Sequence, residues 1–158
     1  MSTHARDLDR YEQQADLCLR MIDGLSDEEL DARPGPGAWS MRELVVHLMD
    51  SDLIGADRMK RVIATEGSTL YAYEENDFAR NLDYAKRDAR LAADLFHLSR
   101  RWMTAIFRSL PDAAFLKTGD HTENGPMTLA ELVAGYADHV DHHLEFARGK
   151  REKLGKPM

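Results

Sequence analysis

The chain has 158 residues, 43% hydrophobic and 31% charged, enough to bury a core as one domain over residues 1–158. Its 28 acidic and 21 basic residues leave a net charge of −7, which argues against non-specific nucleic-acid binding. A single cysteine, Cys18, excludes an intrachain disulfide and a CxxC site; with no membrane-length apolar run and no apolar leader, a cytoplasmic protein is expected.

Apolar residues recur at three- and four-residue intervals through nearly every long segment, and no alternating stretch is long enough for a buried strand. The spacing predicts a first helix over residues 5–24, with Leu8, Tyr11, Ala15, Cys18, Leu19 and Ile22 on one stripe and Gly24 at C′. "SDEELDARPGPG" follows, with a capping box Ser26-x-x-Glu29, a brief helical turn and a proline–glycine break. A second helix opens at "WSMREL", where Ser40 caps, Glu43 reaches back and Trp39 staples onto Leu44; it extends to about residue 65.

"TEGSTLYAYEEN" reads as a connection with room for a short helix, and residues 83–109 as the third long helix, stopped by Pro111. The polar loop after it holds a small hairpin at "GDHTENGP". The last helix opens at "MTLAEL" with a second capping box, Thr128-x-x-Glu131, and Met127 stapled onto Leu132. These elements predict an all-α four-helix bundle with short extra helical turns in the connections.

"YADHVDHHLEFARGK" carries His139, His142 and His143 on the last helix. Residues four apart lie on one face about 6 Å apart along the axis, so His139 and His143 can aim at one ion, and spacing alone equally allows His139 with His142. The apolar stripe Leu132, Val133, Tyr136, Val140, Ala147 decides: His143 sits within it and His139 beside it, whereas His142 shares the wet line of Asp138 and Glu145. On the second helix His47 borders the stripe Met41, Leu44, Val45, Leu48. Three buried imidazoles without partners would each cost about 1–3 kcal/mol. One divalent cation would satisfy all three, with positions left open for water.

Zinc and nickel are the leading ions, and three imidazoles do not separate them from iron, cobalt or copper. Asp50 and Glu43 are candidates to orient the ligands from behind. His4 and His121 are expected to face solvent, and His97 to face the core or a partner. Most of the aromatics from Tyr71 to Phe107 read as core, although "LYAYEENDF" could lie over the site as a lid. No Ser-His-Asp signature or phosphate loop is present, and no catalytic residue is identified beyond the metal ligands. The relative direction of the two histidine-bearing helices stays open.

"GAWSMRELVVHLMDSD" and "LVAGYADHVDHHLEFARGK", one histidine on an early helix and an H-x-x-H-H on a late one, resemble the DinB/YfiT-like superfamily. The resemblance implies a four-helix bundle, often a homodimer, with a divalent metal on three histidines; position by position these are His47, His139 and His143. It also implies a small-molecule substrate and metal activation of a low-molecular-weight thiol, as in S-transferases and a mycothiol-dependent isomerase, or of water, as in a hydrolase. The competing expectation is a non-catalytic, stress-related metal-binding bundle.

Overall fold

Side-chain caps set where the helices begin. Ser26, Ser40 and Thr128 each accept from the backbone N–H three residues on, while Glu29, Glu43 and Glu131 reach back to the cap N–H, completing three capping boxes. A computed structural model describes residues 3–158. Helix α1 (Thr3–Gln13) tightens into a 3-10 turn at Gln14–Asp16 and continues as α2 (Leu17–Ile22). Then come α3 (Asp27–Asp31), α4 (Met41–Ala64), β1 (Ser68–Leu70) and α5 (Glu75–Asn81). They are followed by α6 (Ala89–Ser109), β2 (Thr118–His121), β3 (Gly125–Thr128) and α7 (Leu129–Lys153).

The third long helix starts later than its periodicity predicts. Asp83 has φ 54°, a left-handed conformation that an α-helix does not continue through, and Asp88 caps a fresh start by accepting from the N–H of Arg90 and Leu91. The expected hairpin is present as β2 against β3, with Asp120 opposite Pro126. Strand β1 was not expected; it pairs parallel to β2 and, at three residues, is too short to show alternation.

Side-chain contacts fix the helix directions. Trp39 lies by Lys150, His47 by His139 and Arg58 by Tyr136, so α4 and α7 are antiparallel. Arg42 reaches Arg87 and Asp52 reaches Arg100, so α4 and α6 are parallel. Arg10 meets Asp138 and Arg151 meets Met21, so the α1–α2 arm is parallel to α7. The bundle therefore runs up, down, down, up, and the parallel pair needs the long crossover of residues 65–88, which carries β1 and α5.

The core divides into two apolar clusters, one around Leu44, Leu48, Phe96 and Val140, the other around Tyr11, Met59, Phe107 and Val133. Fully buried Arg100 joins them, stacked 3.8 Å from the Tyr11 ring centroid and 4.9 Å from that of Phe96. Its Nε donates to Asp52 at 2.7 Å, and its Nη atoms donate to Gln14 and to the Tyr136 carbonyl. On the outer face of α6, Leu91, Leu95, Leu98 and Trp102 form an exposed apolar line. No helix among the described residues is long and apolar enough to cross a membrane.

Candidate metal centre

Antiparallel packing of α4 on α7 sets His47 against His139 and His143. The Nε2 atoms of His47 and His139 are 3.1 Å apart, and those of His143 and His139 are 3.0 Å apart. One ring nitrogen from each residue lies within 4.8 Å of the others. An sp² nitrogen offers either one proton or one lone pair, so His139 Nε2 cannot hydrogen-bond well to both neighbours. Two imidazole nitrogens about 2.0–2.1 Å from a common ion are about 2.8–3.4 Å apart for right-angled to tetrahedral geometry. The two short separations, both at His139, are those of ligands sharing a divalent cation and suit one better than a hydrogen-bonded cluster.

Burial is the main cause of the histidines' low proton affinity, reinforced for His47 by the other two imidazoles. It lowers His47 to about 3 and His139 and His143 to about 4, so all three are neutral donors at pH 7. The Nδ1 atoms of His47 and His143 are buried with no hydrogen-bond partner among the described residues. Packing orients the rings instead: Trp39 lies 4.8 Å from the His47 ring and His142 lies 5.3 Å from that of His143.

The remaining candidates fall as follows. His142 is exposed, as its helical line predicts. Glu43 and Asp50 do not orient the ligands: Glu43 accepts from the Ser40 N–H at 2.8 Å and from Arg33 at 2.7 Å, and Asp50 accepts from the Tyr84 hydroxyl at 2.6 Å. His121, expected to face solvent, is buried because the hairpin folds it inward. Its Nδ1 accepts from the N–H of Glu123 and Asn124. His4, also expected to face solvent, stacks on Phe115 at 4.1 Å. His97 lies 2.8 Å from Asp16.

The carboxylate nearest the triad was missed. Glu75, at the start of α5, places Oε2 3.6 Å from His47 Nε2. It belongs to the "LYAYEENDF" segment considered as a lid, but nothing distinguishes it there from Glu74 or Asp77 in sequence. Two clefts flank the triad. One of about 360 Å³ opens beside His143, walled by Trp39, Glu75, Asn76, Phe146 and Lys150. The other, about 210 Å³, opens beside His139 and is walled by Ser51, Arg58, Tyr73, His121 and Tyr136.

Fold and site together define a four-helix bundle with a three-histidine centre between two antiparallel helices. The chain belongs to the DinB superfamily, a model of which matches residues 10–147. A Bacillus mycoides protein provisionally named a metal-dependent hydrolase is 31% identical over 140 residues, covering 85% of this chain and 78% of the relative. Among solved structures, YfiT from Bacillus subtilis superposes with TM-score 0.88 at 22% identity, covering 98% of this chain and 90% of that one. It is provisionally described as a metal-dependent hydrolase with an unusual four-helix bundle topology. A mycothiol-dependent maleylpyruvate isomerase shares the fold at TM-score 0.71 and 12% identity, covering 90% of this chain and 59% of that one.

Proposed function

We propose that His47, His139 and His143 hold a divalent cation and that the protein is a metal-dependent hydrolase of small molecules. The observation that carries this reading is the double contact at His139 Nε2, with neighbours at 3.0 and 3.1 Å, which one nitrogen cannot satisfy by hydrogen bonding. Such an ion, when bound, supplies Lewis acidity and lowers the pKa of a bound water or thiol.

The chain's own residues divide the remaining work. Trp39 packs against the His47 ring, and Phe146 lends an apolar side to the cleft beside His143. Glu75 has no Arg or Lys ion pair among the described residues and is placed to accept a proton at the triad's mouth. The relatives named as metal-dependent hydrolases support the choice of water as nucleophile. A thiol is the second reading, supported by the roughly 360 Å³ cleft beside His143, which is far larger than a water requires.

Hydrolysis of a panel of esters and amides tests the proposal. Activity is expected to vanish on chelation, to return with added zinc or nickel, and to fall at least about 100-fold in Glu75→Gln with metal retained. Turnover that requires an added thiol would select the second reading. Absence of both activities in metal-loaded protein would leave a metal-binding bundle without turnover.

A further inference from the structure

The geometry points to the cleft beside His139 as a carboxylate subsite, in which Arg58 takes the anionic group of a small acidic substrate. This rests on the triad being the reactive centre and adds the class of molecule presented to it. Arg58 is half-buried on α4, eleven residues after His47, a spacing that returns to nearly the same helix face. Its Nη1 donates to the Tyr136 hydroxyl at 2.9 Å and its Nη2 donates to the Tyr71 carbonyl. Its Nε is buried without a partner, and no carboxylate among the described residues pairs with it. Buried Arg100 and half-buried Arg10 and Arg42, by contrast, all pair with aspartates.

The other walls also present donors. The Tyr136 hydroxyl accepts from Arg58, which leaves its own proton to give. His121 Nδ1 accepts two backbone N–H groups, so a neutral His121 carries its proton on Nε2. Glu131 is the acid lining the cleft, and its Oε2 is occupied by the N–H and hydroxyl of Thr128, each at 2.8 Å. A half-buried guanidinium with two neighbouring donors and no carboxylate paired to it among the described residues is a recognition site for a carboxylate. Tyr136 lies one helical turn before His139, so an anion held at Arg58 extends toward the triad.

Fluorine NMR titration of 4-fluorobenzoate against neutral 4-fluorobenzamide tests the subsite. Wild type is expected to prefer the carboxylate by about tenfold or more, Arg58→Gln to lose the preference, and Arg58→Lys to keep part of it. Arg58→Lys and thermal melts separate lost binding from lost fold. Equal binding of the two probes by wild type would overturn the assignment. So would a preference that survives Arg58→Gln but disappears in His143→Ala, since the carboxylate would then sit on the metal. Zinc content, measured on the same samples, distinguishes the two readings. Preference without zinc at the triad leaves the subsite standing and removes the metal-centre proposal, whereas zinc without preference removes the subsite alone.

Discussion

His139 and His143 are inward and His142 outward because 100° per residue separates neighbours on a helix, and that division is legible in the apolar stripe alone. Glu75 and Arg58 are not legible in the same way. Glu75 reaches the site from α5 in the crossover, and Arg58, although it shares the His47 face of α4, is tied to the site by contacts with Tyr136 and with Tyr71 after β1 that no local pattern announces. The histidines also imply a pH dependence. Their folded-state pKa values, about 3 to 4, lie below the unfolded value of about 6.5. Between those limits the unfolded chain binds more protons than the folded one. The contribution of these histidines to the stability of metal-free protein is therefore fully present above about pH 6.5 and lost as pH falls toward 4, which thermal melts across that range will show as a falling melting temperature. A melting temperature flat from pH 7 to 4 would contradict the burial of these rings.

At the level of elements, the capping boxes at Ser40 and Thr128 were readable because each is a local pattern of four residues. The interruption before α6 was not, since periodicity continues through residues 83–88 while the backbone leaves the helix at Asp83. Contact between α4 and α7 depends on Gly55, where an added Cβ would lie 2.4 Å from Tyr136 Cζ. Gly55→Ala must push the Tyr136 ring away or the helices apart, and is expected to cost about 1–3 kcal/mol in chemical denaturation despite its better helix propensity. The same shift moves the Arg58 contact at Tyr136, so carboxylate preference should fall with it. An unchanged midpoint would mean that the close approach is relieved without consequence.

For the whole molecule, the all-α class and the four long helices follow from periodicity, but the up-down-down-up order does not. It is set by long-range contacts such as Arg42 to Arg87 and Arg151 to Met21, which no local pattern announces. Arg100 is the clearest case: it reads as one polar residue on a predicted helix, yet it ties α4, α6, α7 and the α1–α2 arm through Asp52, Tyr136 and Gln14. Arg100→Met strands the Asp52 carboxylate in the core and should destabilise the protein by about 3–5 kcal/mol by urea denaturation, far more than loss of an exposed ion pair. The central claim is that this bundle brings three imidazoles together to hold one ion, and metal content per chain tests it most directly. Elemental analysis is predicted to find about one divalent ion in wild type and in His142→Ala, with loss in His47→Ala, His139→Ala and His143→Ala. Metal-free wild type, full retention in His143→Ala, or equal loss in His142→Ala would contradict it.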